Sequence, residues 1–171
     1  MRRQMRREFH RRLAPLCVVL LKEQGGERVL PMWIGLSEGL ALMLQLRGTT
    51  TPRPMTYDLM ARLLEVAEAR VEQVTVTSLR DNIFYATLRV RVGDRVHDVD
   101  ARPSDALNLA LRVNAPIFVA PEVFEQGLRL TVEGALTTLE EKLRQDIEAA
   151  RVLPETVPMA YLSFRSLPWG R

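Results

Sequence analysis

Apolar and polar positions along the chain fall into two rhythms. Residues 83–92, IFYATLRVRV, alternate strictly, with Phe84, Ala86, Leu88, Val90 and Val92 on one face and Tyr85, Thr87, Arg89 and Arg91 on the other. That predicts a strand buried on one side. Gly93-Asp94 is a two-residue turn signal that pairs it with RVHDVDA (95–101). In this register Val90 faces His97 and Leu88 faces Val99 on the apolar side. Arg89 faces Asp98 and Thr87 faces Asp100 on the polar side. His97 is therefore expected in the core. An earlier pair, CVVLLKE (17–23) and RVLPMWI (28–34), flanks Gly25-Gly26 as a second hairpin, with Glu23 opposite Arg28. Apolar on both faces, these strands are expected inside the sheet. RVEQVTVTSL (70–79) reads as a further strand.

Elsewhere the period lengthens to that of a helix. Ser37 is placed to cap a helix over 38–46, and Leu40, Leu42, Met43, Leu44 and Leu46 surround it, predicting burial all round. Thr56 is placed to cap YDLMARLLEVAEA (57–69), and SDALNLALRV (104–113) forms the next helix. PIFVA (116–120) is a short strand, PEVFEQ (121–126) a helical turn and LRLTV (128–132) a weak strand. A last amphipathic helix covers 135–149. Hairpins and helices mix without regular alternation. The expected fold is therefore α+β: a mixed, largely antiparallel sheet built from hairpins, with helices packed against it. The chain divides into an arginine-rich arm (1–14), an α+β domain (15–133) and a C-terminal helix with an apolar tail (134–171).

Charge changes the picture at one end. The net charge is +3, yet Arg2, Arg3, Arg6, Arg7, Arg11 and Arg12 against a single glutamate give residues 1–12 a charge of +5, leaving −2 for the rest. The basic footprint belongs to an arm, which reads either as solvated or as a phosphate grip on RNA or DNA. RREF before LAPLCVVLL loosely resembles a twin-arginine export signal. The hairpin that follows directly, with no small-residue cleavage site before it, argues against export. No run approaches the roughly 18 apolar residues of a membrane span. A lone cysteine, Cys17, excludes a disulfide framework and fits a reducing, cytoplasmic setting.

Two stretches share a grammar. RPMTYDLM (53–60) and RPSDALNL (102–109) each run Arg-Pro, then a hydroxyl, then an acid at the start of an apolar helix. Proline suits a first helical turn. Thr56 and Ser104 can accept orphan N–H groups, worth about 1 kcal/mol each, and Asp58 and Asp105 complement the helix dipole. Arg53 and Arg102 are less easily explained, because a cation before a helix N-terminus needs an anion beside it. Capping with internal Arg–Asp pairing and a site assembled from both loops remain alternatives. Asp98 has Arg89 as a structural partner, whereas Asp100 is the freer acid. Glu38 suits the dipole of its own helix. No HExxH, Cys/His ligand spacing, Walker loop, dinucleotide fingerprint or GxSxG elbow is present. The remaining chemistry is that of carboxylates, hydroxyls and arginines, and oxygen ligands favour Mg²⁺ or Mn²⁺.

The pieces LPMWIGLSEG (30–39), PRPMTYDLM (52–60), DNIFYATLRV (81–90), DARPSDALNLALR (100–112) and APIFVA (115–120) together resemble the bifunctional nuclease domain family. The resemblance spans roughly residues 16–133. It implies a self-associating α+β domain, with cleavage of RNA and DNA described for plant members. Two departures stand out. The family's Arg-Pro-x-Thr-His-Asp motif has Tyr57 at the histidine position, and an arginine arm replaces an apolar strand-like segment ahead of the first hairpin.

The expected function is a metal-dependent nuclease acting on RNA or DNA. Asp100, Asp105 and Asp58 would hold Mg²⁺ or Mn²⁺ and a water, Arg53 and Arg102 would grip phosphate, and Thr56 and Ser104 would orient the acids. The alternative is a non-catalytic, self-associating module that binds an anionic ligand or a protein partner.

Overall fold

The computed structural model describes residues 16–25 and 28–126. The arm, the strand and helix expected over 128–149 and the C-terminal tail lie outside these residues. Strands β1 (Leu16–Lys22) and β2 (Val29–Gly35) form an antiparallel hairpin, followed by helices α1 (Leu36–Leu46) and α2 (Thr56–Val66). Then come β3 (Ala69–Arg80), β4 (Ile83–Val92), β5 (Arg95–Ala101), α3 (Pro103–Val113), β6 (Ile117–Val119) and the short α4 (Pro121–Gln126). The fold is α+β. A four-stranded sheet runs in the order β5-β4-β3-β6, antiparallel except where β6 joins β3, beside the two-stranded β1-β2 sheet.

Turn chemistry fixes the registers. Asp81 and Asn82 carry φ of 49° and 62° between β3 and β4, and Asp and Asn tolerate that left-handed region better than most residues. Gly93, at φ 56°, makes the first position of the next turn. Val90 faces His97, Leu88 faces Val99, Arg89 faces Asp98 and Thr87 faces Asp100, as the alternation predicts. Glu23 and Arg28 likewise meet, with the Glu23 N–H donating to the Arg28 carbonyl at 2.9 Å and their side chains forming an ion pair.

Three expectations are corrected. The β1-β2 hairpin does not enter the main sheet. One of its faces, with Val19, Leu30 and Met32, joins the core, while Leu20 and Val29 form a separate small cluster with Val18 and Trp33. Its second apolar face is thus a cluster of the hairpin's own residues and not the mark of a central strand. Helix α1 buries only Gly39, Ala41 and Leu42, leaving Leu40 and Leu46 exposed. His97 is exposed rather than in the core, because β5 is an edge strand whose residues 95–100 are all exposed.

Helix α3 organises the interior. It packs against α1, α2, β3 and β4 and buries Ala106, Leu107, Leu109 and Ala110. Each leucine buried there contributes about 1.5–3 kcal/mol. Asn114, in the left-handed conformation, ends the helix.

Candidate functional site

The site grows from the first turn of α3. Arg102 occupies the N-cap position in an extended conformation, Pro103 begins the helix, and the Arg102 carbonyl accepts the Asp105 and Ala106 N–H groups, each at 3.0 Å. The Arg102 side chain folds back over this turn. Its Nε donates to Asp105 Oδ2 at 2.6 Å, and its Nη2 donates to Asp105 Oδ1 at 2.9 Å and to Glu38 Oε1 at 3.0 Å. Glu38 lies in the first turn of α1 and also accepts the Ser37 hydroxyl at 2.9 Å. Gly35 makes room for it, since a Cβ there would collide with Glu38 Oε2. From α2, the Tyr57 hydroxyl donates to Asp105 Oδ1 at 2.6 Å. The N-terminal turns of three helices thus converge on one guanidinium, whose side chain stays 66% exposed.

A buried brace lies behind this junction. Arg112, its side chain 6% exposed, donates from Nε to Asp58 Oδ1 at 2.5 Å and from Nη1 to the Asn108 carbonyl at 3.0 Å. Its guanidinium also lies over the Tyr57 ring, 5.4 Å from the centroid. Asn108 is fully buried, and its Nδ2 donates to the Glu38 carbonyl at 3.0 Å and the Ser104 carbonyl at 2.9 Å. α1, α2 and α3 are therefore locked together directly beneath Arg102.

The electrostatics follow from these contacts. Burial pushes Asp105 up, but the hydrogen bonds from Arg102 and Tyr57 outweigh it and hold the carboxyl below its ordinary range. Glu38 is lowered by its own backbone N–H, by Ser37 and by Arg102. Asp58 is lowered by Arg112 and then by the Met55 N–H. Tyr57 moves the other way, its phenol raised by burial and then by the adjacent Asp105. The hydroxyl stays protonated, so it is a donor rather than a base.

The capping expectations fall one residue out of place at Thr56 and two at Ser37 and Ser104. Gly35, Met55 and Arg102 occupy the N-cap positions, and in none of the three helices does the N-cap side chain itself make a capping hydrogen bond. Ser37, Thr56 and Ser104 already lie inside their helices. The carboxylate of Asp58 satisfies the Met55 N–H at 2.8 Å instead. Of the predicted site residues, Arg102, Asp105 and Tyr57's neighbour Asp58 belong to the junction and its brace. Arg53 and Thr56 are exposed, and Arg53 makes no ion pair among the described residues. Asp100 is exposed on β5 opposite Thr87. Asp58, Asp100 and Asp105, expected to share a cation, do not converge. Among the described residues, no group of three or more His, Cys, Asp or Glu is placed to hold a metal ion. Asp58 and Asp105 are each committed to an arginine, so the donors among the described residues do not fit a carboxylate metal centre. Arg112, Asn108 and the pairing role of Glu38 escaped the sequence reading. Their partners on other helices lie 54 to 71 positions away in sequence and leave no local pattern.

Fold and site define an α+β domain in which three helix ends present one fixed arginine to solvent. A model of the bifunctional nuclease domain matches residues 19–129, and the chain belongs to that family. It is 42% identical over 110 residues to an uncharacterized protein of Mycobacterium tuberculosis, covering 64% of this chain and 65% of that one. Similarity extends to bifunctional nuclease 2 of Arabidopsis thaliana, 30% identical over 129 residues, covering 72% of this chain and 39% of the relative. Bifunctional nuclease 1 of Oryza sativa subsp. indica is 28% identical over 117 residues, covering 66% and 35%. The matched stretch thus spans less than two thirds of each relative's own length.

Proposed function

We propose that this chain is a nuclease that hydrolyses phosphodiester bonds of RNA or DNA at the Arg102 junction. The observation that carries the reading is a guanidinium two-thirds exposed yet fixed by Asp105 and Glu38. Such preorganisation suits charge that develops on a phosphoryl group, because no reorganisation is needed when the charge appears. Family membership supplies the reaction class. A water oxygen bonds to phosphorus, the bond to the leaving sugar oxygen breaks, and that oxygen takes up a proton. Arg102 neutralises the non-bridging oxygens, while Asp105, Glu38 and Tyr57 act as positioning residues. Arg2, Arg3, Arg6, Arg7, Arg11 and Arg12 add phosphate contacts to this reading. No step is routed through a metal, since the acids nearest Arg102 are spent on arginine.

The test incubates purified protein with end-labelled single-stranded RNA and DNA, with Mg²⁺, with Mn²⁺ and with a chelator. Cleavage that falls sharply in Asp105→Asn supports the reading. Cleavage unchanged in that variant assigns the activity to another site or a contaminant.

A second reading is a non-catalytic, self-associating module, favoured by Tyr57. Its hydroxyl is committed to Asp105 and held protonated where the family motif has a histidine. Leu59, Leu63 and Val66 of α2 also stand exposed. An inert protein that sediments as a stable oligomer would favour this reading.

A further inference from the structure

Beside Arg102 lies a solvent-open cleft of about 290 Å³, bounded by β2, the β3–β4 turn and the first turn of α3. Trp33 and Phe84 are the aromatic residues of its lining, the Trp33 side chain packing also on the Leu20–Val29 cluster, and Asn82, Arg102 and Ser104 are its polar ones. Its volume sits at the lower end of small-molecule sites, roughly 300–1,000 Å³, so it suits one nucleotide and not a duplex. Arg102 is the one charged residue of the lining; Asp105 and Glu38, which hold it, are not part of the wall.

Two polar groups point to a ligand. Ser104 is 5% exposed, and its hydroxyl makes no hydrogen bond among the described residues. It sits in the first turn of α3, where no preceding helical carbonyl is available to it. Yet among the described residues no fully buried side-chain nitrogen or oxygen lacks a partner. The hydroxyl therefore keeps its opening through the cleft it lines. Arg102, for its part, spends Nε and Nη2 on the two acids, leaving Nη1 without a partner among the described residues.

We propose that this cleft is a nucleotide subsite. One unpaired base lies against Phe84, beside Trp33, and its phosphate accepts hydrogen bonds from Arg102 Nη1 and the Ser104 hydroxyl. The ligand class rests on the nuclease reading, but binding is measurable without cleavage. Aromatic faces accept any base, since every base has a π-face, so the subsite is tolerant of base identity. Specificity comes from joining ring and anion in one small space.

The chain holds two tryptophans, so Trp169→Phe leaves Trp33 as the sole indole reporter. This protein is titrated with adenosine 5′-monophosphate, adenosine and inorganic phosphate while tryptophan emission is followed. Calorimetry on the unaltered chain provides a second measurement. The nucleotide is expected to saturate the signal at lower concentration than either fragment. Adding Ser104→Ala should weaken nucleotide binding roughly tenfold, the scale of one lost hydrogen bond to a charged group. Nucleotide binding no tighter than adenosine or phosphate, in both measurements, would overturn the subsite. A cleavage assay on the same preparation separates the two ideas. Cleavage without nucleotide binding removes the subsite alone, and nucleotide binding without cleavage removes hydrolysis alone.

Discussion

The Tyr57 hydroxyl donates a 2.6 Å hydrogen bond to Asp105, tying α2 to α3 across 48 positions of sequence. Asp105 in turn holds Arg102, so the position where the family motif has histidine controls the acid behind the exposed guanidinium. A protonated phenol can orient that acid but cannot take a proton from water near neutral pH.

Restoring the imidazole should therefore add a base. Tyr57→His sets a histidine beside Asp105, an acid able to orient and stabilise its charged form. Cleavage of labelled RNA should rise by about 10²-fold, the lower end of general acid–base contributions, with a pH profile that gains a limb near 6–7. Unchanged rates would mean that this position does not face the reacting atoms.

The Arg112 brace carries stability. Arg112→Met removes the cation from Asp58 and the side-chain donor that reaches the Asn108 carbonyl and Oδ1. Breaking a buried pair costs about 3–5 kcal/mol. Asp58 is only partly buried, so we expect roughly 2–4 kcal/mol in urea unfolding. The double variant Arg112→Met with Asp58→Leu should recover part of this loss, because no buried charge is left unpaired.

Acid should unfold the protein through the same groups. Asp58, Asp105 and Glu38 are all depressed in the folded state. Their stabilisation is fully present above the unfolded carboxylate values, about 4, and drains away as pH falls through the lower folded values. Unfolding free energy should hold steady from neutral pH to about 5 and fall below about 4. Asp58→Asn with Asp105→Asn should be less stable at neutral pH and show a shallower acid slope. An identical acid slope would mean that these pairs are not formed in solution.

Close packing of α1 on β1 gives an independent check of the fold. A Cβ at Gly39 would lie 2.6 Å from both Cβ and Sγ of Cys17. Gly39→Ala should therefore destabilise the protein by about 1–3 kcal/mol despite alanine's better helix propensity. Adding Cys17→Ala should rescue little, because the Cys17 Cβ clash remains. A melting temperature raised by Gly39→Ala would contradict this packing.

The sequence made the hairpins readable because strict alternation and the Gly93-Asp94 turn leave one register at Arg89–Asp98, while the Gly25-Gly26 signal alone pointed to Glu23–Arg28. It misled at His97, because alternation reports which residues share a face and not whether another layer covers that face. The capping residues were misplaced because first-turn hydroxyls look alike at the N-cap and one or two positions later. Pro103, as the first helical residue, is the signal that moves the cap back to Arg102. Within the site, Arg102–Asp105 was foreseeable, being three residues apart. Tyr57–Asp105, Glu38–Arg102 and Asp58–Arg112 were not, since only the packing of three helices brings them together.

The most direct test of the Arg102 junction is the rate of RNA and DNA cleavage by Arg102→Gln against the unaltered chain, with circular dichroism confirming the fold. We predict cleavage by the unaltered chain and a loss of at least about 10²-fold in the variant, the scale of removing one preorganised charge donor. Equal rates from two folded proteins would contradict the assignment.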